Sequence, residues 1–374
     1  MREEKPKKQP VPAGCEPSCP GCAHKYLTPK QSLAQKETWL KTKLFPWASQ
    51  FTPIRNVDEN SRWGYRKKVC LSAQWQSGKW AFGLIKNDSV IPIHGCPVHA
   101  RPIRDAVLLF SAVLPDSAFF PLIYFVQTGS QITLVVKSKQ MPDLTWLNTD
   151  VTGTLSQNGI QGLWLHLNPC TGKKVFAKNT WHLLFGTPRS VDKNQLLYGP
   201  GAFAQLLPVL YTQALSTAET FLSPGKNDIF IDLYCGIGTG LVRWQQQCDN
   251  VTGVELDGEA VACARKNAPD TTLFRGRCKD RIPQLIQWAD AYPRQRNRLL
   301  YVNPPRTGLE PEVLEWIINS YKPDRMAYLS CSAGTLVRDL TRLDAGGYKI
   351  IQLIPFDFFP QTLHVETLVL IESG

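Results

Sequence analysis

Cys331 stands in the run Tyr328-Leu329-Ser330-Cys331-Ser332, and a helical pattern, AGTLVRDLTRL, follows it. A thiol placed where a strand hands over to a helix N-terminus meets amide donors and the positive end of the helix dipole, and both lower a thiol pKa. At an ordinary pKa of ~8.5 only a few per cent of a thiol is ionised at neutral pH, so the spacing predicts an activated nucleophile. Read alone, Cys331 also fits a buried structural cysteine. Further along, Asp357-Phe358-Phe359-Pro360-Gln361-Thr362-Leu363-His364-Val365-Glu366 supplies a histidine and two carboxylates. The pairing suits addition of a thiolate to an electron-poor ring, followed by removal of a proton by a neighbouring base.

A second constellation surrounds the glycines of Asp232-Leu233-Tyr234-Cys235-Gly236-Ile237-Gly238-Thr239-Gly240. Gly236 and Gly238 allow a sharp turn and close approach of a ligand to the backbone. A Gly-x-Gly turn alone fits any tight strand-to-helix junction. Two acids sharpen the reading. Asp232 just before the glycines would repel a pyrophosphate and attract a cation. Glu255, 19 residues beyond Gly236, lies at the spacing where a carboxylate meets ribose hydroxyls, and Asp257 could share that role. S-adenosylmethionine carries a ribose and a positive charge but no phosphate, so it fits both acids. Asn303-Pro304-Pro305-Arg306 ends another strand. The prolines fix the loop, and Asn303 can present its amide to a base or to the cofactor. Arg306 stands where amine-modifying methyltransferases carry an aromatic residue that stacks on the target base, which argues against transfer to an exocyclic amine.

Cys15-x3-Cys19-x2-Cys22 has the spacing of a metal site, and Cys96, in Ile93-His94-Gly95-Cys96-Pro97, is the best fourth ligand. Zinc and an iron–sulfur cluster are equally served by four thiolates. Of the remaining cysteines, Cys70, Cys170, Cys248, Cys263 and Cys278 sit in apolar or ordinary context and are expected to be buried and inert.

The elements that must position these residues fall into three segments. Residues 1–60 hold a basic tail, the cysteine cluster and a helix over QSLAQKETWLKTKLF, with Leu33, Trp39, Leu40 and Leu44 near helical spacing. Residues 61–195 are rich in strand-like runs (KVCLSAQW, KWAFGLI, LIYFVQT, QITLVVKS, GLWLHL) and predict a mainly β central domain, with turn signals at Asn87-Asp88-Ser89 and Asn158-Gly159. Residues 196–374 alternate apolar runs with helical patterns: IFIDLYC, VTGVELD, TTLFRG, RLLYVNPP, RMAYLSC, YKIIQLIPFDFF and ETLVLIE. The first five have room for crossover helices. The last two are joined by a stretch too short for a parallel crossover and must be antiparallel. Seven strands with one antiparallel member make an α/β, Rossmann-like sheet of the class I methyltransferase type.

The 374 residues carry 42 Lys and Arg against 31 Asp and Glu, a net charge of +11, which favours polyanionic partners. Arg2, Lys5, Lys7, Lys8 and the run Trp63-Gly64-Tyr65-Arg66-Lys67-Lys68 mix charge with aromatics, as RNA-binding surfaces do. There is no apolar run long enough for a membrane span and no signal-peptide core. A cytoplasmic, monomeric protein acting on RNA rather than DNA or a membrane is expected, and the odd count of 11 cysteines speaks against a disulfide framework.

In order along the C-terminal segment, Phe203-x-Gln205, the DLYCGIG turn, Glu255, NPPR, Ser330-Cys331 and Asp357-x-Phe359-Pro360-x-Thr362-x-His364-x-Glu366 resemble the uracil-C5 RNA methyltransferases that modify bacterial ribosomal and transfer RNA. The chemistry fits: a thiolate added to carbon 6 of uracil makes an enolate whose carbon 5 attacks the methyl sulfonium, and the carbon 5 proton must then leave. The resemblance implies that Cys331 is the nucleophile and Glu366 the base, with Gln205, Tyr234, Glu255 and Asn303 on cofactor or substrate. It also implies a 4Fe-4S cluster on Cys15, Cys19, Cys22 and Cys96. The chain departs from the family pattern at Leu207 and Thr239, where Asn is common. It has Asn303 where most members have Asp and a ribosomal RNA branch has Asn. That asparagine, and the lack of room for an RNA-binding barrel before Cys15, favour 23S rRNA over tRNA. Transfer to cytosine or an amine, and a non-catalytic RNA-binding iron–sulfur protein that kept the fold, are the competing readings. Roles for Asp280 and Thr239 toward the cofactor stay open.

Overall fold

The structure, a computed structural model, describes residues 9–170, 174–177, 180–203 and 205–374. The tail residues Arg2, Lys5, Lys7 and Lys8 lie outside these. The chain forms two compact units, one of Met1–Thr28 with Asp58–Leu206 and one of Pro29–Val57 with Leu207–Gly374. This division differs from the sequence-based boundaries: the helix after the cysteine cluster joins the C-terminal unit, and the stretch up to Leu206 stays with the first.

The first unit is built on strands β1 (Lys68–Gln76), β2 (Lys79–Lys86), β3 (Ser89–Pro92), β4 (Leu122–Thr128), β5 (Gln131–Val136), β6 (Gly162–Leu167) and β7 (Trp181–Gly186), ordered β3-β2-β1-β4-β5-β6-β7. All neighbours are antiparallel except β5 and β6. That parallel pair needs a crossover, and the helix Thr149–Gln157 provides it. With the helix Arg101–Val113 it covers one sheet face, where Val69, Leu71, Phe125, Ile132, Leu134, Leu163 and Leu165 are buried. The five strand-like runs of the sequence all became strands. The two helices were not read from the sequence, although Ile103, Ala106, Val107 and Phe110 recur at helical spacing. Asn87 and Asp88 take the left-handed backbone of a tight hairpin, with φ of 48° and 61°. A small antiparallel ribbon, β8 (Ser190–Val191) with β9 (Leu197–Tyr198), follows.

The second unit carries β10 (Ile229–Leu233), β11 (Asn250–Glu255), β12 (Thr272–Arg275), β13 (Arg298–Val302), β14 (Arg325–Ser330), β15 (Tyr348–Phe356) and β16 (Glu366–Ser373), ordered β12-β11-β10-β13-β14-β16-β15. These are the seven strands read from the sequence. The first five are parallel, and β16 runs antiparallel between β14 and β15. The order reverses between the neighbours β10 and β13, so the loops after these two strands open on the crevice where ligands bind in such sheets.

Side chains alternate across the sheet. Ile231, Leu233, Leu300, Val302, Met326, Tyr328, Val369 and Ile371 form one core with Leu40 and Leu44 of the N-terminal segment and with Leu336, Leu340 and Leu343 of the helix Ala333–Ala345. The opposite parity holds Asp232, paired with Tyr301, which pairs with Ala327, which pairs with Leu370. The helix Pro208–Leu222 packs against β13, β14 and β16.

The N-terminal helix, Pro29–Lys43, is where the sequence foresaw it, but its buried line is different. Ser32, Lys36 and Leu40 are buried, whereas Trp39 is 43% exposed. The aromatic run also divides: Tyr65 is core and Trp63 is 38% exposed. Cys248, Cys263 and Cys278 are buried as expected, but Cys70 and Cys170 are exposed.

Candidate active site

Cys331 follows β14 directly, and Ser330 pairs with Thr367 of β16. In an antiparallel ladder the next pair out is Cys331 with Glu366, on one face of the sheet. Glu366 also pairs with Phe356 on its other side and is buried, 2% exposed. The carboxylate acts on the thiol from there. The expected activation is reversed in this state. Burial pushes the Cys331 thiol up, Glu366 adds to the rise, and the Arg306 guanidinium opposes it. The helix Ala333–Ala345 begins two residues beyond Cys331, while loss of water and then the facing carboxylate are the leading causes of the rise.

The loop after β13 is stapled to that helix. Thr335 Oγ1 donates to Arg306 O at 3.2 Å, and Arg338 Nη2 donates to Thr307 O at 3.1 Å and Leu309 O at 2.9 Å. Asp339, fully buried, accepts from Leu309 N–H at 2.9 Å and from the Tyr328 hydroxyl at 2.7 Å. Asn303, half-buried at the loop's start, donates its backbone N–H to Leu233 O at 3.3 Å. Its side chain sits with Tyr301 beside the Tyr211 hydroxyl, whose ionisation is resisted by burial, by Asp232 and by Glu366.

At the glycine turn, Gly236 and Gly238 have φ of 57° and 84°, and Tyr234 has 62°. A Cβ on Gly236 would meet nothing within 4 Å, so that edge is open to a ligand. A Cβ on Gly238 would lie 3.3 Å from Ala264, so this glycine serves helix packing. Glu255 ties the loops after β10 and β11 together. Its Oε2 accepts from Gly236 N–H at 3.0 Å and its Oε1 from Asp257 N–H at 2.8 Å. Each oxygen keeps a lone pair for a hydroxyl. Asp257 is occupied as the cap of the helix Gly258–Asn267, accepting from Ala260 N–H at 2.8 Å. Tyr234 is half-buried and donates its hydroxyl to Glu310 Oε2 at 2.7 Å.

Asp232 does not present the standing charge expected of it. Burial, and less strongly Glu255, push its carboxyl up to about 8 against the pull of the Trp244 indole, which donates at 2.8 Å. Its second oxygen has no hydrogen-bond partner among the described residues. A cation arriving here would find a carboxyl that it could ionise.

Gln205 belongs to the first unit and is not among the residues that the second unit gathers. Next to it Phe203 is 62% exposed, with the Lys68 ammonium 5.4 Å from its ring centroid and donating to Ala202 O at 2.7 Å. Burial takes Lys68 down to about 8.

Also in the first unit, the loops of Gly14 and Gly95 touch: a Cβ on Gly14 would lie 2.4 Å from Gly95 O. Burial raises the thiols of Cys15, Cys22 (to about 11) and Cys96, and Cys15, Cys19, Cys22 and Cys96 act on one another electrostatically. As placed, no three ligating side chains among the described residues are arranged to hold a metal ion. The donor chemistry fits a cationic group, which would relieve the mutual resistance of these thiols to ionisation.

Sequence reasoning missed Glu310, Arg338, Asp339, Tyr211 and Lys36, which hold the site's loops. None of them left a signal in the local pattern; Lys36 in particular reads as solvent-facing.

Residues 292–373 match the family model tRNA (Uracil-5-)-methyltransferase. Over 371 residues the chain is 27% identical to the 23S rRNA (uracil(1939)-C(5))-methyltransferase RlmD of Marinomonas sp. (strain MWYL1), covering 95% of this chain and 79% of the relative. It is 26% identical over 390 residues to an uncharacterized RNA methyltransferase of Listeria innocua, covering 96% and 83%. Among solved structures, the tRNA (uracil-54, C5)-methyltransferase of Pyrococcus abyssi, in complex with S-adenosyl-L-homocysteine, superposes with a TM-score of 0.70 at 20% identity, covering 95% of this chain and 86% of that one. This likeness establishes the fold. No helix among the described residues is long and apolar enough to cross a membrane.

Proposed function

We propose that this chain, which fits the RNA uracil-C5 methyltransferase family, transfers a methyl group from S-adenosylmethionine to carbon 5 of a uridine in RNA through a covalent Cys331 adduct. The observation that carries the reading is the register that sets Cys331 and Glu366 opposite each other at one end of β14 and β16. The Cys331 thiolate adds to carbon 6, carbon 5 takes the methyl group, Glu366 removes the carbon 5 proton, and the thiolate is expelled as the ring regains its double bond. Glu255, Gly236 and Gly238 receive the cofactor, with Tyr234 shaping the turn. Asp232 ionises toward the sulfonium, and Asn303 and Gln205 orient cofactor or base. The Marinomonas relative's ribosomal substrate and Asn303 favour 23S rRNA, with tRNA as the alternative. Cys15, Cys19, Cys22 and Cys96 hold a 4Fe-4S cluster, which would fix the N-terminal loop to the loop of Cys96.

Fluorine at carbon 5 cannot leave as a proton, so the test is RNA containing 5-fluorouridine. It should be trapped on the protein in an S-adenosylmethionine-dependent adduct that survives denaturing electrophoresis. Cys331→Ala should abolish the adduct, and Glu366→Gln should let it build up with ordinary RNA. Methylation that survives Cys331→Ala would overturn the mechanism.

A further inference from the structure

Lys36 is fully buried, and so is its partner. Its ammonium lies 2.5 Å from Asp357 Oδ1, with both side chains at 0% exposure, and donates to Phe359 O at 3.0 Å. A buried ion pair is a weak source of stability, because two charges leave water to form it, and its best-attested use is to fix one arrangement over others. What this pair fixes is the loop that leads from β15 to Glu366.

That loop is held against its own preferences. Gln361 has a left-handed backbone, φ 61°, without being glycine, and is 7% exposed. Such a conformation persists where the surroundings over-determine it. They do so at Phe359, whose carbonyl accepts from Lys36 Nζ, from Thr362 Oγ1 at 2.8 Å and from Thr362 N–H at 3.2 Å. Asp357 is held from the other side, its N–H donating to Arg55 O at 2.8 Å while Arg55 N–H donates to Pro355 O at 2.8 Å. The segment 29–57 therefore runs beside β15 and inserts one cation into the loop's base.

We infer that Lys36 is a positioning residue for proton removal: through Asp357 and the Phe359 carbonyl it fixes the 357–366 loop so that the Glu366 carboxylate faces Cys331. The inference rests on the proposed covalent mechanism. Loss of the clamp should leave cofactor binding and methyl transfer in place and slow the step that needs Glu366.

The test compares the full-length wild type with Lys36→Met/Asp357→Asn, which removes both charges together and so leaves no unpaired ion in the core. The readouts are melting temperature, S-adenosylhomocysteine affinity, adduct formation with 5-fluorouridine RNA, and adduct lifetime with ordinary RNA. With the double variant folded and binding S-adenosylhomocysteine, the expected result is adduct formation with both RNAs and a lifetime on ordinary RNA extended about tenfold or more. Deuterium at carbon 5 should also slow turnover more in the variant than in wild type. A merely structural role would not produce that isotope effect. Release at the wild-type rate with an unchanged isotope effect overturns the inference. Should that double variant fail to fold, Lys36→Gln/Asp357→Asn is read instead: it also leaves no buried charge and keeps a shorter, neutral donor, and a wild-type adduct lifetime in that protein overturns the inference equally. Absence of any adduct in the wild type would sink the covalent mechanism itself, which keeps the two failures apart.

Discussion

Cys331 and Glu366 oppose each other chemically as well as geometrically. The carboxylate proposed to take the carbon 5 proton also raises the pKa of the thiol proposed to attack first. Before RNA arrives, the pair therefore favours a protonated, quiet nucleophile. Two opposite effects of one substitution follow. Glu366→Gln should stop turnover yet lower the thiol pKa, so that alkylation of Cys331 at neutral pH becomes faster by several-fold, measured on the Cys331 peptide by mass spectrometry. Arg306→Met should do the reverse, because Arg306 is the group that lowers the thiol. In wild type the alkylation rate should keep rising with pH beyond the ordinary thiol range. Alkylation rates insensitive to both substitutions would show that the two side chains do not govern the thiol. At this scale the sequence was legible in residue types and illegible in charge states. The Cys-to-His-x-Glu spacing pointed to the two residues that are proposed to react. The reversed thiol shift and the neutral tendency of Asp232 come from burial, which no local pattern displays.

Among the elements, the helix Ala333–Ala345 does more than follow the nucleophile. Through Thr335, Arg338 and Asp339 it grips the loop that carries Asn303 and Arg306. Asp339→Ala should leave the Tyr328 hydroxyl and Leu309 N–H without an acceptor in the core, at a cost of ~2–4 kcal/mol. The melting temperature should drop by about 5–10 °C, and methylation should fall further than stability alone explains, because the loop is released. An unchanged melting temperature would mean that water replaces the carboxylate. The strands were readable because a buried parallel sheet needs continuous apolar runs, and all seven in the second unit were found. The helices of the first unit were not, and the apolar line of the N-terminal helix was right at Leu40 and Leu44 but wrong at Trp39. Its buried line passes through Lys36, a residue that apolar periodicity counts as solvent-facing and that only a distant aspartate makes tolerable inside.

At the scale of the molecule, the proposed roles divide between the two units: the four cysteines proposed to hold a cluster lie in the first, and Cys331, Glu366 and the glycine turn lie in the second. The cluster assignment belongs here. Protein purified without oxygen should be brown, with about four irons per chain, and Cys19→Ser or Cys96→Ser should bleach it. Stoichiometric zinc without iron would replace the assignment. The sequence carried the ligand types through spacing, whereas the choice between metals came from family resemblance, since thiolate chemistry alone admits both.

The strand order of the second unit has a consequence in time. β16 comes after both of its neighbours in the chain, yet it lies between them. Glu366 therefore reaches its place opposite Cys331 only when this strand has paired with β14, so the pairing that completes the sheet is also the one that brings the proposed base to the proposed nucleophile.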